Sequence, residues 1–184
     1  EKDLISGKKF ITKIWNATKF VFMNLQNYKN EKPGHLQKID EVFLNELNKV
    51  IEVSTKSFLE YEYFKAKAET EKFFWKDFCD NYLEIVKNRI YQGSKEEKQS
   101  ASFVLYNSLL SIIKMMAPIT PFITEEIYQK YFKAQEKDKS IHLSSWPEKS
   151  DMKIKKEDEK IYSKFIEILE KTRHAKSENK KSMK

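Results

Sequence analysis

Glycine and proline are scarce in this chain of 184 residues, with three Gly and four Pro. Strand-rich folds with many tight turns draw on both, so their scarcity argues against a sandwich or barrel and for long uninterrupted helices. A glycine-rich phosphate loop is absent, which removes nucleotide binding of that kind. The single cysteine, Cys79, cannot form an internal disulfide and fits a reducing cytosol. No apolar run is long enough to span a membrane, and neither a membrane partner nor a signal peptide is expected. The three histidines, His35, His142 and His174, are scattered without ligand spacing, so no metal site is expected. The chain starts at Glu1 without Met and ends on a charged run, which is expected of a piece of a larger protein.

What the chain does contain is positive charge and aromatic rings. Lys and Arg number 35 against 28 Asp and Glu, a formal net charge of +7, and aromatics make up 14%. The charge favours a polyanionic partner, nucleic acid first. The length suits one helical domain with a sizeable core and a small appendage.

Apolar spacing and breakers divide the chain into helices. The first is expected to be capped by Asp3 and to run to about Asn24, followed by a polar break from Asn27 to His35 around Pro33-Gly34. Asp40 is expected to cap a second helix that ends near Phe58. A long third helix spans about Tyr61 to Tyr91 and stops at Gln92-Gly93-Ser94, read as a helix C-cap. A fourth runs from about Lys98 to Met116. Thr120 is read as the N-cap of a short fifth helix to about Phe132, with Pro121 at its first position and early negative charge from Thr124-Glu125-Glu126. Ile141 to Pro147 alternates as a short extended stretch, and a charged linker, Glu148 to Asp158, leads to a last amphipathic helix of about Glu159 to Lys176. The expected fold is all-α, an antiparallel helix bundle over residues 1–147 and an extra C-terminal helix within 148–184.

Two segments carry the chemistry. Phe73 to Glu84 packs aromatics, Cys79 and three acids together. At helical spacing, Phe74, Phe78, Tyr82 and Leu83 share a buried face, and Asp77, Asp80 and Glu84 form a solvated one with Lys76 and Lys87 as partners. Cys79 has no neighbouring base and is read as a core residue.

In the first helix, Phe10, Ile11, Ile14, Trp15, Ala17, Thr18, Val21 and Phe22 fill an apolar arc. The opposite arc carries Lys8, Lys9, Thr12, Lys13, Asn16 and Lys19, and no acid occurs from Lys8 to Leu25. Phe20 projects from this basic arc between Lys9, Lys13 and Asn16, and Met23 is a second apolar residue there. Lysines that meet phosphates, a ring that stacks on an unpaired base and an Asn that reads a base edge are what a single-stranded nucleic acid needs. Arg173-His174-Ala175-Lys176 with Lys180, Lys181 and Lys184 is read as a solvated, charged end, with a second RNA-facing patch as the alternative.

Four motifs in this order also resemble a known family. Gly7-Lys8-Lys9-Phe10-Ile11-Thr12-Lys13-Ile14-Trp15-Asn16-Ala17-Thr18-Lys19-Phe20 resembles the opening helix of the anticodon-binding domain of class I aminoacyl-tRNA synthetases. Phe73 to Arg89 is similar to the valyl form of that domain. Ala117-Pro118-Ile119-Thr120-Pro121-Phe122-Ile123-Thr124-Glu125-Glu126-Ile127-Tyr128 resembles the signature near the end of its bundle, and Ile141 to Pro147 the short segment that follows. The resemblance implies tRNA recognition through the anticodon stem-loop, where a middle adenine and third cytosine mark valine. It makes Lys8, Lys9, Lys13, Asn16, Lys19 and Phe20 the expected tRNA contacts, with Trp15 and Ala17 in the core. The complete enzyme would ligate valine to its tRNA with ATP and Mg, using catalytic and editing domains of the same polypeptide in the cytoplasm; this segment holds no catalytic residue and needs no cofactor. Lys8 and Lys19 stand where the family has Arg, and Thr12 where it has Asn. Lysine keeps the phosphate attraction and loses bidentate and stacking recognition. An isoleucyl or leucyl synthetase domain is the near alternative, and a basic helical protein-interaction module the alternative of another class.

Overall fold

The computed structural model describes residues 2–25, 28–151 and 154–179, and among these every regular element is helical. The chain divides into two compact units, Glu1–Ser150 and Asp151–Lys184. The first unit contains α1 (Lys2–Asn24), α2 (Lys38–Leu59), a long rod, α5 (Lys95–Met116) and α6 (Pro121–Ile127). The rod is built from α3 (Tyr63–Lys72), a π-helical segment (Phe73–Tyr82) and α4 (Leu83–Gln92). After α6 come a π turn (Tyr128–Phe132) and a 3₁₀ turn (Ile141–Leu143). The second unit contains α7 (Lys156–Glu178), with Glu157, Asp158 and Glu159 in its first turn and Lys176 in its last, charges that suit the helix dipole.

α5 is the centre of the bundle, packing against α1, α2, α3, α4 and α6. Its Val104, Leu105, Leu109, Ile112 and Ile113 are fully buried. A helix surrounded on all sides reads as apolar around its circumference, as this one does.

The π segment coincides with the aromatic stretch singled out in the sequence. Its i→i+5 bonding places residues four and five apart above one another. Phe73, Phe74, Phe78, Cys79, Asn81 and Tyr82 are all buried. Phe43 of α2 stacks on Tyr82 at 3.9 Å and on Phe73 at 5.4 Å between ring centroids. The expected buried face of Phe74, Phe78, Tyr82 and Leu83 is found, and on the solvent side Glu84 pairs with Lys87 at 2.6 Å.

Several helix ends differ from the sequence expectation. Asp40 does not cap α2: the helix starts at Lys38 after Gln37, and the Asp40 carboxylate turns inward. It accepts from both Arg89 Nη atoms at 2.7 Å, from the Tyr82 hydroxyl at 2.7 Å and from Ser100 Oγ at 2.5 Å. Ser100 Oγ in turn accepts the Gln37 backbone N–H at 2.8 Å, so a residue of α5 satisfies the start of α2. Burial works against the Arg89 charge, but bonding to Asp40 and attraction to it prevail, and the Arg89 pKa is raised. Burial likewise holds the Tyr82 hydroxyl well above its ordinary range, together with the Asp40 charge.

Gly93 ends α4 in an extended conformation, φ −70° and ψ 165°, and not as a left-handed cap. A Cβ there would collide with the Arg89 carbonyl oxygen, so close approach and not φ requires glycine. Ser94 belongs to the next helix, capping α5 by accepting from Glu97 N while Glu97 accepts from Ser94 N. α5 therefore begins at Lys95, earlier than the expected Lys98. Thr120 does not cap α6; its hydroxyl donates back to the Met116 carbonyl at 3.2 Å. Ile141–Leu143 forms a 3₁₀ turn and residues 144–147 no regular element, so no strand forms there; the Glu125 carboxylate accepts from both Ser140 Oγ and Ile141 N at 2.9 Å at the start of the turn. Trp146 then straps this segment to α2, donating to Thr55 Oγ1 at 2.8 Å. Asp3 lies inside α1, and its side chain, Asn27, and Lys180, Lys181 and Lys184 fall outside the described residues.

Candidate nucleic-acid interface

α1 packs on α5 and α6, so one stripe of it is enclosed and the rest faces outward. Phe10, Ile14, Ala17, Thr18, Val21 and Leu25, at spacings of three and four, form the buried stripe. Ile11, expected within the apolar arc, is exposed; it flanks a stripe too narrow to include it. Trp15, read as core, is half-buried at the border. Its ring meets Tyr131 edge-on at 6.2 Å between centroids and lies under the ammonium groups of Lys130 at 5.2 Å and Lys19 at 5.5 Å. Ala17 is buried as expected.

Lys8, Lys9, Thr12, Asn16 and Lys19 are exposed, and Lys13 is half-buried. Among the described residues, no carboxylate pairs with Lys8, Lys9 or Lys19. Lys9, Lys13, Asn16 and Phe20 follow one another along the helix at spacings of three and four, which makes them one stripe. That stripe faces the π segment and α4. Lys13 Nζ lies 5.2 Å from the Trp75 ring centroid and 3.8 Å from an Asp80 carboxylate oxygen. Two turns on, Phe20 is half-buried with Lys87 Nζ 5.5 Å from its ring centroid. Trp75 also closes an open groove of about 440 Å³ whose other walls are Ile5, Lys8, Lys9, Thr12, Lys13 and Asn16.

The six residues expected to contact RNA therefore share one helix, and five of them border the same seam or groove. Lys19 points away from the seam toward Trp15. Sequence reasoning missed Trp75, Lys87 and Lys130, which come from elements far along the chain. Trp75 falls outside the buried face of Phe74, Phe78, Tyr82 and Leu83 expected from spacing, and in the structure it is the one aromatic of Phe73–Tyr82 that is not buried.

The seam alternates ammonium groups and rings. Each exposed lysine–aromatic pair contributes only about 0.5–1 kcal/mol, and an exposed pair such as Lys13–Asp80 at most about 1 kcal/mol. Both are weak enough to be exchanged for a phosphate on the lysine and a base on the ring. Base–aromatic stacking is worth roughly 1–3 kcal/mol per base. Nucleophilic chemistry has no support here: Cys79 is buried, and burial pushes its thiol up to about 12. Among the described residues no helix is long and apolar enough to cross a membrane.

Comparison with known proteins gives the helical bundle a family. The chain belongs to the family described as the anticodon-binding domain of tRNA ligase, whose model matches residues 40–184. Among curated relatives, valine–tRNA ligase of Wolbachia sp. subsp. Brugia malayi is 38% identical over 100% of this chain and 22% of its own length. Valine–tRNA ligase of Ehrlichia canis is 41% identical over 97% of this chain and 22% of its own. The enzyme of the same name from Archaeoglobus fulgidus is 35% identical over 91% of this chain and 19% of its own. The chain thus spans about a fifth of the length of these relatives. The family match starts at Asp40, and the likeness to the first of these relatives extends it through α1.

Proposed function

We propose that this protein is the tRNA-recognising part of a valine–tRNA ligase and binds the anticodon stem-loop of the valine tRNA along α1. The observation that carries the reading is the seam itself. Lys9, Lys13, Asn16 and Phe20 lie in one stripe opposite Trp75, on a helix free of acids from Lys8 to Leu25, in a chain of the anticodon-binding family. Relatives named valine–tRNA ligase favour valine over the isoleucyl and leucyl alternatives. Membership of that family disfavours a protein-interaction module.

Binding proceeds by splaying the loop. Lys8, Lys9, Lys13 and Lys19 neutralise its phosphates, Phe20 stacks on an unpaired base, and Asn16 offers both a donor and an acceptor to a base edge. The role in aminoacylation is positional. The bound anticodon fixes where the acceptor end lies, so specificity enters as differential binding and the chemistry belongs to catalytic and editing domains that use ATP and Mg in the cytoplasm.

Phe20→Ala and Lys13→Ala test the assignment by tRNA binding and thermal denaturation measured together. Both variants lose binding several-fold. Phe20→Ala loses stability well short of the roughly 3–5 kcal/mol of a buried Phe, because its ring is only half-covered. A large fall in melting temperature, with tRNA binding unchanged wherever the protein remains folded, would make Phe20 a core residue and end the stacking role.

A further inference from the structure

A second basic surface lies beyond the α1 seam. Residues 28–34 and the turn between α4 and α5 enclose a cleft of about 850 Å³. Lys29 and Lys32 line it from the first segment, and Lys95 and Lys98 from the start of α5; Asn24, the last residue of α1, is also in its lining. Glu31 is the acid among its lining residues. Just outside it, Glu96 and Glu97 are engaged in capping α5, accepting from Ser94 Oγ at 2.9 Å and Ser94 N at 2.8 Å. Among the described residues, Lys29, Lys32 and Lys95 form no ion pair, and Lys98 Nζ reaches only the Tyr91 carbonyl at 3.5 Å.

The cleft is held in shape without the lysines. The Asn30 backbone N–H donates to Gln135 Oε1 at 2.7 Å, Gln135 Nε2 donates to the Tyr28 carbonyl at 3.0 Å, and Asn107 Nδ2 of α5 donates to Asn30 Oδ1 at 3.1 Å. Four ammonium groups are therefore presented around a space with no matching set of carboxylates. The space is far larger than a single phosphate needs, and the four charges come from two segments, which suits several phosphates of one chain better than one free anion. The cleft also continues the seam. Asn24 lies one turn beyond Phe20 and donates to its carbonyl at 2.7 Å, and Lys8 to Asn24 is roughly 24 Å along the helix axis at 1.5 Å per residue.

We propose that this cleft binds backbone phosphates of the RNA strand whose loop bases occupy the α1 seam, so that one strand follows a continuous track from Lys9 past Phe20 and Asn24 to Lys95. The proposal deepens the RNA-binding reading and rests on it. Phosphate contacts of this kind fix register and carry no base information.

The test replaces Lys29, Lys32, Lys95 and Lys98 together by Ala. A control replaces four lysines of α7, Lys156, Lys160, Lys164 and Lys171. Binding of two RNA hairpins, one with the valine anticodon and one with its middle base changed, is measured across a salt series for the protein and both variants. The cleft variant is expected to lower the slope of log affinity against log salt by up to about 3, at about 0.7 per single-strand phosphate. It weakens both hairpins by the same factor and preserves the ratio between them, while the α7 control leaves the slope near that of the parent. Exchanging chloride for inorganic phosphate at equal ionic strength leaves RNA bound. A slope unchanged in the cleft variant, an equal fall in the control, or displacement by inorganic phosphate each overturns the proposal. A parent protein that binds both hairpins equally while the cleft variant still loses slope would sink the anticodon reading and leave the cleft standing.

Discussion

Arg89 shows how one buried charge joins three helices. It is one of two arginines in the chain, with Arg173, and its fork meets both oxygens of Asp40. Asp40 is fully buried and the Arg89 side chain only 14% exposed, so the Asp40 charge depends on its protein partners. Arg89→Met is expected to destabilise the protein by about 3–5 kcal/mol in denaturant unfolding, since it strands the Asp40 charge. Lys13→Ala, which removes an exposed partner of Asp80, should cost no more than about 1 kcal/mol. Equal losses for the two would contradict the burial argument. The sequence could not reveal this pairing. An Asp ahead of an apolar run reads as an N-cap, and its partners, Tyr82, Arg89 and Ser100, lie 42 to 60 positions away. Local periodicity did place Lys8, Lys9, Asn16 and Lys19 of α1 on the outside, because an edge helix with one enclosed stripe obeys its own spacing. Ile11 and Trp15 were misjudged because the width of that stripe depends on which neighbours cover it.

Among the elements, the long rod from Tyr63 to Gln92 is the least regular and the most instructive. Its length was legible from the absence of Gly and Pro between Tyr61 and Tyr91, and the buried aromatic face was legible from spacing. The π segment was not, because nothing in single-residue propensity separates i→i+5 from i→i+4 bonding; it is the segment whose Phe73 and Tyr82 stack on Phe43 of α2. At the rod's end, Gly93 was recognised as a stop for the wrong physical reason. Since its φ is ordinary and its crowding is not, Gly93→Ala is expected to destabilise by about 1–3 kcal/mol through overpacking against the Arg89 carbonyl. The melting temperature should fall accordingly. A Gly93→Ala variant as stable as the parent, as for a residue with open space around it, would show that the turn yields freely.

At the scale of the whole first unit, packing leaves α1 as a basic edge, with the lysine-lined cleft beyond it. α5 is enclosed from Ser100 onward and lends its first residues, Lys95 and Lys98 among them, to the cleft, while α1, an outer helix, presents lysines and rings along its length. The fold class and the family were legible because four motifs keep their order along the chain, and the candidate site was legible only along α1. Trp75, Lys87 and the lysines of the cleft come from segments that folding alone brings beside it. The central claim is that this edge reads a base and does not merely feel phosphate charge. It is tested most directly by binding of the protein to the valine tRNA and to the same tRNA with its middle anticodon base changed, at one fixed salt concentration. Anticodon recognition predicts that the changed tRNA binds several-fold or more weakly; equal binding of the two would contradict it.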